Sequence, residues 1–253
     1  MLKVAVKAAK TAGKYALSRV GKIQTIDTKM GYSDLVTDVD KMSEKIVIGI
    51  IKKSFPEHEI LAEESGKTLG TDKYTWVIDP IDGTTNFAHG FPFFCVSVGV
   101  MHNEEIILGA VYDPSKKELF TSIKGKGAYL NGKRIKVSLH TSIRKSMIAT
   151  GFAYHVAGKI RSIKYFMNVI KKCQAIRRAG SAALDLCYVA CGRFDGFWEF
   201  GLSPWDTAAA YLIVQEAGGI VTNLEGGKYD IYASCIAASN GKIHKKLLSI
   251  LHQ

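Results

Sequence analysis

The sequence has no apolar run approaching the roughly 18–20 residues of a membrane span, so it reads as a soluble protein. The N-terminus shows no signal-peptide core with a small-residue cleavage site. Its first helix sets Lys3, Lys7, Lys10 and Lys14 against Leu2, Ala5, Ala9, Ala12, Ala16 and Val20. That apolar face is mostly alanine, which favours a solvated first helix over a membrane or transit helix. No Cys-x-x-Cys occurs, and the five cysteines (Cys95, Cys173, Cys187, Cys191 and Cys235) are odd in number. Cys187 and Cys191 have helical spacing, but no histidine or third cysteine follows at zinc-site distance. The thiols therefore read as free and buried, as in a reducing cytoplasm. There is no internal repeat, low-complexity tract or Pro/Ser-rich linker.

The 253 residues, 47% hydrophobic and 23% charged, have the composition of an ordinary globular protein. The net charge of +11 invites nucleic acid as a partner, yet the basic residues are scattered, with only short clusters at Lys171-Lys172 and Arg177-Arg178. No single-strand-binding or helix-turn-helix signature is visible. A basic field that draws in anionic substrates explains the charge equally well.

Periodicity predicts helices over residues 2–19 and 37–54, the second closed by Pro56, with a polar functional loop between them from Gly21 to Ser33. Short strands are expected at 60–62 and 74–78. A strand-rich block follows, at 94–101, 106–112, 118–123, 127–130 and 134–137, punctuated by turns as in an antiparallel meander. Beyond about residue 145 the texture alternates. Strands are expected at 147–151, 174–179, 194–200, 220–223 and 235–239, and helices at 159–171, 182–191, 204–217 and 241–251. The fold expected is α+β, a layered αβαβα sandwich with mainly antiparallel sheets between helix pairs. It forms one domain over 1–253, with soft subdomains 1–140 and 141–253.

The richest stretch is Trp76-Val77-Ile78-Asp79-Pro80-Ile81-Asp82-Gly83-Thr84-Thr85-Asn86. Two carboxylates stand three residues apart where an apolar strand is expected to stop, followed at once by a Gly-Thr-Thr turn. Carboxylates are ligands for hard cations, and open backbone N–H groups at a helix start suit an anion. The pattern points to a divalent metal and a phosphate held side by side. Glu63 and Asp206 also follow apolar strands or open helices. Each acid has a plainer reading. Asp206 follows Ser203-Pro204-Trp205, a helix-start signature, and Asp40 follows Thr37 in the same way. Asp82 reads equally as a turn residue, and Glu63-Glu64 as a solvated pair.

Taken together, Glu63-Glu64-Ser65, Asp79 to Asn86, Gly180-Ser181-Ala182-Ala183 and Trp205-Asp206 resemble the inositol monophosphatase family of magnesium-dependent, lithium-sensitive phosphatases. The resemblance spans the chain, including Asp34 to Asp40 and Trp205 to Val221. It implies two or three Mg2+ ions per site. Glu63, Asp79 and the Ile81 carbonyl would hold one, and Asp79, Asp82 and Asp206 a second, roughly 3.5–4 Å away. It further implies that Glu63 and Thr84 orient an attacking water, with Asp40 behind Thr84, while the N–H groups of Gly83 and Thr84 grip phosphate. Lys29 would belong to a mobile loop over the site, with a solvated lysine as the alternative. His89 is read as structural, since metals can carry the proton chemistry.

The family's substrates include inositol monophosphates and fructose 1,6-bisphosphate. Glu199, in Phe197-Trp198-Glu199-Phe200, matches a position that accepts hydrogen bonds from inositol hydroxyls. Asp82, Gly180, Ser181 and Ala182 would lie along the same ring. A carboxylate suits a neutral polyol and repels a second phosphate, whereas Arg177 and Arg178 would favour one. The expectation is thus an inositol-1-monophosphatase, with fructose-1,6-bisphosphatase or dual activity as the alternative. A homodimer in the cytoplasm is implied by the resemblance alone. A basic RNA- or protein-interaction module is the reading from another class.

Overall fold

The computed structural model describes residues 1–23, 25–28, 35–152 and 156–253, with backbone alone at 156–159. Lys29, expected in a mobile loop, lies outside the described residues. Helix α1 (Leu2–Arg19) buries Ala5, Ala8, Ala9, Ala12, Gly13 and Ala16 and leaves its four lysines exposed. Strands β1 (Ile26–Thr28) and β2 (Leu35–Thr37) pair antiparallel, so part of the expected Gly21–Ser33 loop is a short hairpin arm. Three exposed residues, with Ile26 the sole apolar one, carry too little alternation to mark β1 as a strand. Helix α2 (Asp38–Ser54) begins at a reciprocal capping box. There the Thr37 hydroxyl accepts from the amides of Val39 (3.2 Å) and Asp40 (3.3 Å), and Asp40 accepts from the Thr37 amide (2.9 Å).

Strands β3 (Glu59–Ala62), β4 (Gly66–Thr68) and β5 (Tyr74–Asp82) lead through the short helix α3 (Thr84–Ala88) into a meander. Its strands are β6 (Cys95–His102), β7 (Glu105–Asp113), β8 (Glu118–Ile123), β9 (Gly127–Leu130) and β10 (Lys133–Ile135). These eight strands form one sheet in the order β10-β9-β8-β7-β6-β5-β3-β4, antiparallel except for the parallel β3–β5 pair. The remaining elements are β11 (Met147–Thr150), α4 (Val156–Ile170), β12 (Ala175–Arg177), α5 (Ala182–Ala190), β13 (Gly196–Phe200), α6 (Pro204–Glu216), β14 (Ile220–Thr222), β15 (Cys235–Ser239) and α7 (His244–Leu251). Their five strands run β12-β11-β13-β15-β14 in a second, mixed sheet.

Helices and sheets alternate in five layers, as the sequence pattern predicts. Alanines of α1 and Val47 and Ile51 of α2 cover one face of the large sheet at Ile60, Trp76, Ile78 and Val98. Helices α5 and α6 fill the space between the sheets, and residues of α4 and α7 cover the outer face of the small sheet at Ile148, Trp198 and Ala237. All nine residues of α5 are buried, and every one but Asp185 is apolar or aromatic, as a helix enclosed on all sides requires. Helix α6 approaches the large sheet closely at Gly99 and Gly109, which are cross-strand neighbours on β6 and β7. A Cβ on Gly99 would lie 3.2 Å from that of Ala208, and one on Gly109 would overlap the Ala209 carbonyl. The pair forms a shallow trough into which the alanine face of α6 sinks.

Two further expectations need correction. Strand β5 does not stop at Ile78 but runs through Asp82. Cys95 and Cys187 are buried free thiols, but Cys173, Cys191 and Cys235 are only half-buried.

Candidate active site

The extension of β5 builds the site. Residues three apart on a regular strand point to opposite faces. Here Asp79 pairs with Ser97 and Asp82 with Cys95, so three steps on β5 match two on β6, and a bulge lies between them. The extra residue restores the phase and re-aims Asp82. Both carboxylates are thereby delivered to one spot, where each offers an oxygen within 4.8 Å of the other and of Asp206 from the first turn of α6. Asp206 also accepts from the Ser203 amide (2.6 Å) through Oδ2. The cap and the cluster are therefore not competing readings, because one oxygen caps and the other remains free to ligate.

Asp79 and Asp82 are buried, and among the described residues no lysine or arginine is paired with any of the three acids. Burial, followed by the charges of Glu63, Asp82 and Asp206, pushes Asp79 well above the usual carboxylate range. Asp206 is raised by burial and then by Asp82 and Glu63, against the Ser203 bond. Burial lifts Asp82 to about 6, opposed by its hydrogen bonds. Three hard oxygen donors carrying uncompensated charge have the chemistry of a divalent-cation site.

Around the cluster, Asp82 Oδ2 accepts from the Ser181 hydroxyl (2.5 Å) and the Ala183 amide (2.7 Å), tying β5 to the N-terminus of α5. The Thr84 hydroxyl has one proton and two acceptors in reach, Asp40 Oδ1 at 2.9 Å and the Ile81 carbonyl at 3.0 Å. Asp40 is raised to about 6 by burial, against its bonds from Thr37 and Thr84. Glu63 lies one residue beyond β3, in the register that sets Ala62 beside Ile78, and so stands next to Asp79. Gly83, with φ at 95°, turns the chain from β5 into α3, and a Cβ there would press on the Gly180 and Phe93 carbonyls at 3.1 Å. His89 is exposed at the C-terminal end of α3.

A pocket opens beside the acids. Of the expected residues it is lined by Asp82, Gly83, Gly180, Ser181, Ala182, Glu199 and Asp206, together with Thr85, Phe152, Arg178 and the turn Phe200-Gly201-Leu202. Glu199 is lifted to about 8 by burial, partly offset by Arg178 and reinforced by Asp82.

Several supporting residues escaped the sequence reading. Glu44 of α2 is buried and accepts from the amides of Glu64 (2.7 Å) and Ser65 (2.8 Å), clamping the loop that follows Glu63. Asn86 donates to the carbonyls of Phe93 (2.7 Å) and Ala179 (2.8 Å), holding the Arg178–Gly180 turn against α3. Position alone flags neither. The hint available for Glu44 was its spacing in line with Val47 and Ile51 on the apolar face of α2.

A five-layer αβαβα fold with a convergent acidic cluster beside a polar pocket defines a protein built to hold a metal ion against a small ligand. A model of the inositol monophosphatase family matches residues 1–253, and the chain belongs to that family. It is 45% identical over 252 residues to an inositol-1-monophosphatase of Synechocystis sp., covering 99% of this chain and 88% of that protein. It is 43% identical over 255 residues to the Nus factor SuhB of Escherichia coli, covering 98% and 94%. The crystal structure of the extragenic suppressor protein suhB from Bartonella henselae superposes with a TM-score of 0.95 at 40% identity, covering 100% of this chain and 98% of that one. Membership supports a metal-dependent phosphatase acting on small phosphorylated substrates. Among the described residues no helix is long and apolar enough to cross a membrane.

Proposed function

We propose that the chain is a Mg2+-dependent phosphate monoester hydrolase with inositol monophosphate as its preferred substrate class. The observation that carries this is the convergence of Asp79, Asp82 and Asp206 beside a pocket whose wall presents Glu199. Phosphoryl transfer asks mainly for positioning and charge stabilisation. Magnesium, held by Glu63, Asp79, the Ile81 carbonyl, Asp82 and Asp206, would supply Lewis acidity toward the phosphate and a lowered pKa for water.

The protein's own groups do the rest. By donating its hydrogen bond to Asp40, the Thr84 hydroxyl turns a lone pair toward the site and orients the attacking water together with Glu63. The N–H groups of Gly83 and Thr84, at the start of α3 and without helical partners, face the phosphate oxygens. Gly180, Ser181 and Ala182 flank the leaving alcohol, and Glu199 accepts from its ring hydroxyls. Lithium inhibition, a homodimer and a cytoplasmic location belong to the same reading and rest on family membership.

Phosphate release from myo-inositol 1-phosphate, fructose 1,6-bisphosphate and simple sugar phosphates, with Mg2+, with chelator and with Li+, tests the proposal. Mg2+-dependent turnover of the inositol ester is expected; none at all rejects the reading. Arg178 in the pocket lining favours a second reading, in which a bisphosphate is accepted as well. The relatives named Nus factor SuhB and the charge of +11 favour a further, non-enzymatic role in contact with RNA or its machinery. Salt-sensitive RNA retention unaffected by Asp82→Asn would support that role.

A further inference from the structure

We propose that Gly151, which no sequence motif marks, is a specificity-determining residue. Its missing side chain is the seat on which the Glu199 carboxylate rests, and so sets what the pocket admits at its polyol end. This deepens the proposed function and rests on it for the identity of the ring.

The geometry follows from sheet register. Strands β11 and β13 run parallel, with Ile148 beside Gly196, Ala149 beside Phe197 and Thr150 beside Trp198. One step further sets Gly151 beside Glu199. Side chains alternate along β13, so Trp198 joins the outer core under α4 and α7, while Phe197 and Glu199 turn inward to the layer of α5 and α6. Glu199 therefore leans over its cross-strand neighbour. A Cβ built on Gly151 would fall within the van der Waals envelope of Glu199 Oε1, Cδ and Oε2 at once.

Among the glycines whose surroundings are described, no other meets a carboxylate in this way. At Gly109 the obstacle is backbone, and at Gly180 it is the Arg178 and Asn86 side-chain ends. At Gly151 the obstacle is the free end of a long, flexible side chain, and its φ lies outside the left-handed region, so alanine fits the backbone. The fold survives such a change, but the carboxylate cannot stay where it is. A carboxylate lined up for neutral hydroxyls by backbone contact gives discrimination that a freely rotating glutamate would not.

The test is Gly151→Ala, alone and combined with Glu199→Ala, in the full-length protein with Mg2+. Kinetics use whichever ester of the panel the wild type hydrolyses best, and the crystal structure of Gly151→Ala is determined beside the wild type. The expected result is a KM raised tenfold or more with kcat within threefold, and a Glu199 carboxylate displaced by more than ~2 Å, since lost ground-state contacts appear in KM. In the Glu199→Ala background the second change should add less than twofold. A KM within twofold of wild type, a carboxylate that has not moved, or an equal rise without the Glu199 side chain would each overturn the assignment. Failure of the wild type to hydrolyse inositol phosphate would instead reject the ring's identity, leaving the Gly151 measurements to be read on the preferred ester.

Discussion

Replacing Asp40 by asparagine should separate stability from catalysis. In the wild type Oδ2 accepts from the Thr37 amide (2.9 Å) and hydroxyl (2.5 Å), and Oδ1 from the Thr84 hydroxyl (2.9 Å). Asparagine keeps one acceptor for the Thr37 pair and turns its NH2 toward Thr84. The Thr84 hydroxyl then accepts from that NH2 and donates to the Ile81 carbonyl 3.0 Å away. Every donor of the wild-type network still has a partner, so the capping box holds.

Weakening two charge-assisted bonds costs about 1 kcal/mol each. Against this, burial lifts Asp40 from 3.8 to about 6. At about 1.4 kcal/mol per pH unit, the ionised wild-type residue therefore forgoes about 3 kcal/mol at neutral pH. The sign is that of a raised carboxyl: its contribution is full below pH 4 and is lost as the pH climbs through about 6. The asparagine variant has no such loss. It should melt within about 4 °C of the wild type at pH 8 and compare less well at pH 4.5. Its kcat should nonetheless fall by about 10²–10⁴, the range for a positioned proton acceptor, because the Thr84 hydroxyl has been reversed. Thermal melts at both pH values with phosphate-release kinetics decide the matter. A variant retaining a third of wild-type kcat, or melting 10 °C lower at pH 8, would refute the reasoning.

Other outcomes follow from the same contacts. Gly109→Ala should lower stability by about 1–3 kcal/mol, or about 3–10 °C in Tm, because the new methyl meets the Ala209 carbonyl; calorimetry reads it. Glu44→Gln presents an NH2 to one of the two amides it now accepts from. It should cost about 1–3 kcal/mol and raise the Mg2+ concentration needed for half-maximal rate, measured by metal titration. Chelated protein should lose stability as pH rises from 4 toward 7, since Asp79, Asp82 and Asp206 are all raised and their contribution is present only while they are protonated. Added Mg2+ should reverse that loss with release of protons, followed by melts and by a pH indicator.

Much of the layering was legible because local signals agreed with it. Alanine periodicity marked α1, Thr37 and Asp40 marked the start of α2, and short strands punctuated by turns marked the meander. The bulge in β5 was not legible, because Pro80 and Ile81 look like the end of a strand, and only pairing with β6 shows that the strand resumes. Asp206 and Asp40 were each weighed as cap or functional group, and their two oxygens allow both roles. Glu44, Asn86 and Gly151 act through partners at least 7 residues away in sequence, so their roles are not written in local pattern, even though Asn86 closes the Asp79–Asn86 stretch. Strand β4 comprises the three residues Gly66–Thr68, too short for periodicity to register.

The trough at Gly99 and Gly109 bears on how the site keeps its dimensions. Asp79 and Asp82 ride on the large sheet and Asp206 rides on α6, so the gap between them is the gap between a sheet and a helix. In most such contacts a layer of side chains lies between, and rotamer changes let the elements breathe. Here main chain rests nearly on main chain, and the span has no compliant layer to take up slack. In a saturation mutagenesis screen these two glycines should tolerate as little as the acids themselves. Substitutions there should change which metal ion is preferred before they abolish folding, because ions of different radius ask for different gaps.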